Sequence, residues 1–398
     1  MAPVFRHLLS NSSNQDLGSV PCDELAEALV ALSKFGTAAE RFHAIAKAES
    51  LPQVCDHLLV AIATRKSILL RLEGNILESL AHIQSAMARD SFPYYDNSTK
   101  VLDTIFGREH SQTKRHYAEC GSLLTSLVEC HLQLGEFKNA EDRVFMWPAP
   151  VDSPIQPLLE VYFLRSKTMV VARMYRWKGD FESASENLDL CLSFMDELNS
   201  NRPQVLAQKA GVLCELKEAP KAEAVLRGDL DRWKANRPCS KGLRRLQVSY
   251  LETMVILNRY AEAEAVLAPL LEYHRGDRNP DTVNDVLMVR IWIYRALMRH
   301  LQSLESTTSP DDWRDVQDTW NEARDKIKSS RVFGSPGFTH RFVELWILDA
   351  ERKQAVSCGV ALPKDAIEST RNLRREHHIT GLGTFWLDKI VGLLAAPA

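Results

Sequence analysis

The sequence predicts an all-α fold, and three observations support this prediction. Apolar residues recur with the spacing of amphipathic helices along most of the 398 residues. The alternation of apolar and polar residues that marks half-buried strands is not sustained anywhere. Glycine and proline, 17 of each, cluster between the helical segments, as in W-P-A-P-V-D-S-P-I-Q-P at 147–157. Helices separated by such short breaks form either a bundle or a solenoid.

The composition narrows the classes of function. Hydrophobic residues make up 45% of the chain, charged residues 25%, and the net charge is −3, so no basic field predicts binding to nucleic acid or to an anionic membrane. No apolar run approaches the ~20 residues of a membrane span. The eight cysteines form no C-x-x-C pair and no secretory signal is found. We therefore expect an intracellular protein, cytoplasmic or nuclear.

One short phrase recurs along the chain. The end of an apolar helix is followed by Gly or a polar residue, an aromatic or aliphatic residue two positions later, and then Ala. It occurs as L-Q-L-G-E-F-K-N-A-E at 132–141, R-W-K-G-D-F-E-S-A-S at 176–185 and I-L-N-R-Y-A-E-A-E at 256–264. Its turn residues recur, apart from one longer gap, about every 40 residues, and they are Gly36, Gly74, Gly135, Gly179, Lys217 and Asn258.

This phrase resembles the turn between the two helices of a tetratricopeptide repeat. In that family a Gly ends the first helix, an aromatic residue fills the wedge between the helices, and a small residue lets them approach. The matching positions are Gly135, Phe137, Ala140, Gly179, Phe181, Ala184, Tyr260 and Ala263. The resemblance implies a right-handed α-solenoid of antiparallel helix pairs in which each pair covers the apolar face of the next.

The resemblance divides the chain into three parts. Residues 1–20 are expected to be a flexible N-terminal segment, and residues 21–282 to be the helical repeats. Residues 283–394 are helical but lack the Gly-x-aromatic turn, so they are either divergent repeats or a less regular capping region.

The sharpest catalytic pattern is D-D-W-R-D, formed by Asp311, Asp312 and Asp315. It resembles the aspartate-rich motif with which terpene synthases and prenyltransferases hold Mg²⁺ and a diphosphate. The preceding Ser309 and Pro310 favour instead a helix start at which acidic residues are stabilised by the helix dipole. No zinc, phosphate-loop, dinucleotide or nucleophile-elbow motif is found, and we predict no catalytic residue, metal or cofactor.

The function that the resemblance implies is binding of another protein. We expect a scaffold or complex subunit that holds a partner peptide or helix in its concave groove. Six arginines on the helices expected to line that groove are candidate anchors for an acidic peptide, namely Arg165, Arg173, Arg176, Arg290, Arg295 and Arg299. The alternative is that they pair with carboxylates of adjacent repeats. A rival function is a helical-array enzyme acting on an isoprenoid or other bulky apolar metabolite, with the three aspartates as its metal-diphosphate site.

Overall fold

The computed structural model of the chain describes residues 21–34, 38–88, 111–145, 157–238, 240–276, 282–305, 310–330, 333, 338–354 and 383–395. These residues form sixteen α-helices and no strand, which confirms the all-α prediction. The predicted flexible segment 1–20 and the turn at Gly36 lie outside this part of the chain. The residues divide into two compact units, Met1–Val170 and Val171–Ala398.

The described residues of the first unit form six complete helices and most of a seventh. They are α1 (Cys22–Leu32), α2 (Ala38–Glu49), α3 (Asp56–Leu72), α4 (Ile76–Met87), α5 (Ser111–Leu134), α6 (Phe137–Phe145) and the main part of α7 (Pro157–Lys178). Helices that follow one another from α1 to α6 pack together, and α3 also packs against α5. Apolar side chains such as Ile83, Leu123 and Leu127 fill the space between α3, α4 and α5.

The described residues of the second unit form the end of α7 and nine further helices. They are α8 (Phe181–Ser193), α9 (Arg202–Glu215), α10 (Ala219–Asn236), α11 (Lys241–Ile256), α12 (Tyr260–Gly276), α13 (Thr282–Glu305), α14 (Pro310–Ser329), α15 (Phe338–Gln354) and α16 (Thr384–Ala395). The pairs are α9/α10, α11/α12 and α13/α14. Their first helices α9, α11 and α13 also pack side by side, so the first helices form one layer.

Five helix pairs turn in the same way. The first or second residue after each first helix has a positive φ, from 57° at Asn258 and 62° at Lys217 to 90° at Gly74. The next N–H donates back to a carbonyl five residues earlier, as from Glu136 to His131 at 2.9 Å and from Asp180 to Tyr175 at 3.0 Å. This pair of features is the Schellman motif, which ends a helix and reverses the chain within two or three residues. Connections this short make the paired helices antiparallel.

The small residue after each turn lies at the contact between helices. Ala140, Ala184 and Ala263 are fully buried, and so is Ala222 of the weaker turn at Lys217. Phe137, Phe181 and Tyr260 are the first residues of α6, α8 and α12. A methyl group at these buried positions lets neighbouring helix axes approach to about 8–10 Å.

The core of the second unit continues through α13, α14 and α15 around a buried histidine. His300 Nε2 lies 3.0 Å from Asp349 Oδ2, and neither side chain is exposed. Trp320 donates its indole N–H to His300 Nδ1 at 3.2 Å, and the Trp346 ring lies edge-on to the imidazole at 4.9 Å. Burial lowers the pKa of His300 although Asp349 opposes the shift. The imidazole is therefore neutral, with its proton on Nε2 and directed at Asp349.

Two glycines allow a test of the turn geometry. Gly179 has a φ of 82°, whereas Gly228 is an exposed residue within α10, and a Cβ at either position would meet no atom within 4 Å. We expect Gly179→Ala to lower the free energy of unfolding by about 1 kcal/mol, because only backbone strain opposes the methyl group. We expect Gly228→Ala to raise it by about 1 kcal/mol through helix propensity. Denaturant unfolding measures both, and changes of the same sign would contradict this account of the turn.

Candidate interaction surface

The last helix of the chain, α16, is bound to the layer of first helices. Thr384, its first residue, contacts Glu215 at the end of α9. Trp386 contacts Glu252 in the middle of α11. At the other end of α16, Arg352 of α15 donates to the carbonyl oxygen of Leu394 at 2.8 Å. Three helices that are far apart in the sequence therefore hold α16 at both ends.

Glu215 binds the N-terminus of α16 with both carboxylate oxygens. Oε1 accepts the backbone N–H of Thr384 at 2.6 Å and Oε2 accepts the Thr384 hydroxyl at 2.7 Å. The Glu215 side chain is only 3% exposed, and Arg176 Nη2 of α7 lies 3.9 Å from it. The first N–H groups of a helix have no partner within the helix and carry its positive partial charge. A buried carboxylate at this point both accepts a free donor and complements the dipole.

Glu252 binds the side chain of Trp386 from within α11. The indole Nε1 of Trp386 donates to Glu252 Oε1 at 3.2 Å, and Arg290 Nη2 donates to Oε2 at 3.2 Å. Arg290 also donates to the Tyr294 hydroxyl oxygen at 3.1 Å. Each of these side chains is buried or nearly so. Burial raises the pKa of the Tyr294 phenol, which therefore stays neutral.

The apolar side of α16 completes its attachment. Trp386, Ile390 and Leu394 are almost fully buried and belong to the same core cluster as α13, α14 and α15. Phe385 is partly buried against both this cluster and the one formed by α9, α10 and α11. We call the side of the first helices that carries Arg176, Glu215, Glu252 and Arg290 the first-helix face.

The six candidate arginines have different surroundings. Arg176 and Arg290 lie on the first-helix face and pair with Glu215 and Glu252. Arg295 and Arg299 pair instead with carboxylates of α14, the first with Glu322 and the second with Asp315 at 2.7 Å. Four of the six thus pair with carboxylates of neighbouring helices, which was the alternative to a peptide clamp. Arg165 and Arg173 are partly buried on α7.

The aspartate-rich motif does not form an enclosed site. Asp311 and Asp315 are 86% and 57% exposed at the start of α14, and Asp312 is exposed beside them. Asp311 pairs with Arg314 on its own helix, and Asp315 pairs with Arg299. Among the residues that the structure describes, no group of three or more His, Cys, Asp or Glu side chains could hold a metal ion. A metal-diphosphate site needs converging carboxylates, so the hypothesis that these three aspartates form one is wrong.

The residues that hold α16 were not identified from the sequence. Glu252 lies in the apolar run Y-L-E-T-M-V-I-L, and a carboxylate in such a run signals a buried polar contact. Thr384 and Trp386 follow G-L-G at 381–383, and nothing in that stretch of sequence indicated a contact with Glu215 or Glu252. Their partners are 169 and 134 residues away, at separations for which the repeat spacing gives no information.

Comparison with known proteins gives distant structural likenesses only. No protein-family model and no curated protein matches the chain. A tetratricopeptide repeat protein from Parabacteroides merdae matches with 14% identity and a TM-score of 0.39, over 85% of this chain and 99% of that one. The structure of Naa15/Naa10 bound to HypK-THB matches with 13% identity and a TM-score of 0.24, over 98% of this chain and 76% of that one. At these TM-scores the two structures carry no argument, and the fold is defined by the paired helices and their turns.

None of the described helices combines the length and the apolar character that crossing a membrane needs.

A matched pair of tryptophans tests the Glu252 contact. Trp386→Phe removes the N–H that Glu252 accepts, while Trp346→Phe removes a buried N–H that has no hydrogen-bond partner among the described residues. Because a hydrogen bond to a charged group contributes about 1.5–3 kcal/mol, we expect Trp386→Phe to lower the free energy of unfolding by that much more than Trp346→Phe does. Denaturant unfolding of both variants measures the difference. Equal losses would show that the Glu252 contact contributes nothing.

Proposed function

We propose that this chain is a protein-interaction scaffold or a subunit of a larger assembly, and that its first-helix face binds a helix or extended peptide of another protein. The observation that carries this proposal is that the same face already holds a helix, α16, through two buried glutamates. A layer of helices that receives another amphipathic helix is a recurring mode of protein recognition.

The electrostatics of the face favour specific recognition over general adhesion. Each glutamate is paired with an arginine, Glu215 with Arg176 and Glu252 with Arg290. A buried pair of this kind adds little stability compared with apolar packing, but it imposes a strict requirement on what lies opposite. A bound helix must offer N–H donors at two defined points. This requirement selects among partners.

The other exposed apolar residues do not suggest a second surface. Among the described residues the large exposed ones lie on four separate elements, and they are Leu77, Leu190, Leu198 and Tyr273. Single exposed apolar side chains are ordinary on soluble proteins. A permanently assembled subunit would present a broad apolar patch, and these four separate residues do not form one.

Site-specific photo-crosslinking in cells of the source organism tests the proposal. A photoreactive amino acid is introduced at Gln208. This residue lies seven positions before Glu215 and therefore on the same side of α9. The control carries it at Ala224, which is exposed on α10, the second helix of the pair. We expect the full chain to crosslink to a distinct protein from position 208 and not from position 224.

Two outcomes would overturn the proposed function. One is crosslinking of the same protein from position 224 alone, which would place the interaction on the second helices. The other is no protein crosslinked from either position, together with a stable monomer that binds a small molecule.

A further inference from the structure

We propose that α16 is an internal ligand of the first-helix face, and that a partner helix of the same chemistry binds by displacing it. The inference rests on the proposed function and deepens it, because it names the class of partner and the step that regulates its binding. It follows from how α16 is held, from what stays behind when it leaves, and from its length.

The contacts of α16 define the chemistry that the face accepts. Glu215 requires a helix N-terminus with a hydroxyl on its first residue, as Thr384 provides. Glu252 requires an indole N–H two residues later, as Trp386 provides. Ile390 and Leu394 add buried aliphatic groups four and eight residues beyond the tryptophan. The partner segment is therefore an amphipathic helix with Ser or Thr at its start, Trp at the third position and aliphatic residues on the same side.

The charge of the face also restricts the charge that the first turn of the partner helix can carry. The polar groups of this face that contact α16 are the carboxylates of Glu215 and Glu252, and Arg176 and Arg290 pair with them. A carboxylate in the first turn of an incoming helix would be repelled by Glu215 and Glu252. The face thus favours a helix whose first turn offers donors, and not the acidic peptide that an arginine clamp would bind.

The face stays electrostatically compensated when α16 leaves. Glu252 keeps its contact with Arg290 at 3.2 Å, and Glu215 keeps Arg176 at 3.9 Å. A buried charge that loses its only partner is strongly destabilising, whereas each of these glutamates would keep its arginine and would be hydrated at the oxygen that α16 uncovers. The open face is for this reason an accessible state of the protein.

The length of α16 makes its release a single local event. It has 12 residues, which is at or below the length at which an isolated helix persists in water. Its helical structure therefore depends on docking, and docking and folding of this segment are coupled. When α16 is docked in ~99% of molecules, a partner that needs the open face binds ~100-fold more weakly than to the open form.

Two variants shift this equilibrium in opposite directions. Trp386→Ala removes the indole contact and much of the buried area of α16, and so favours the open face. Gly392 is exposed on α16, and a Cβ there would meet no atom within 4 Å. Gly392→Ala therefore strengthens the helix without adding a contact, and favours the closed face.

The probe is a fluorescein-labelled synthetic peptide with the sequence of residues 383–395, added to the full chain and followed by fluorescence anisotropy. We expect measurable but weak binding to the wild-type chain and binding at least ~10-fold tighter to Trp386→Ala. We expect Gly392→Ala to weaken binding by about fivefold. The same peptide with Ala in place of its tryptophan should not bind to any of the three proteins.

The inference is overturned if the peptide binds Trp386→Ala no better than the wild type and Gly392→Ala leaves its affinity unchanged. The second variant keeps the test valid if the first one fails to fold, which circular dichroism would show. Failure of the peptide test with crosslinking intact at position 208 would remove this inference and leave the proposed function standing.

Discussion

The carboxylate of Glu252 is the contact on which the arrangement of the second unit depends. It accepts the Arg290 guanidinium with one oxygen and the Trp386 indole with the other, and so connects α11, α13 and α16. A buried carboxylate is costly unless both oxygens are paired. Because Trp386 satisfies the second oxygen, the position of α16 follows from the need to pair Glu252. The thiol of Cys214, whose pKa burial and the charge of Glu252 raise to about 12, stays neutral beside this network.

On the first-helix face the carboxylates contact α16 and the arginines pair with those carboxylates. Arginine side chains are long enough to reach a neighbouring helix, and in the described part of the chain Arg176, Arg290, Arg295 and Arg299 each do so. The shorter glutamates Glu215 and Glu252 are the groups that contact α16, which brings its donors to them. The distribution of charge therefore matters more than its sum, which is close to zero.

The local parts of the fold were predictable from the sequence. The turns at Gly135 and Gly179 follow from the tolerance of glycine for a positive φ, and Asn258 is a residue type that accepts this conformation. Lys217 adopts it without that advantage, and the regular spacing of the turns was the only indication there. The site was not predictable, because Glu215 and Glu252 meet residues 169 and 134 positions later through contacts that no periodic pattern encodes.

Hydrogen exchange of α16 in the intact chain tests most directly whether the first-helix face holds this helix. Its docked state predicts that the backbone amides of Thr384 and of residues 388–395 exchange at least ~100-fold more slowly than in an unfolded chain. The Thr384 amide is informative because it has no partner within its own helix, so its protection reports the Glu215 contact alone. Exchange of these amides at unfolded-chain rates, with α9 and α11 still protected, would contradict the account.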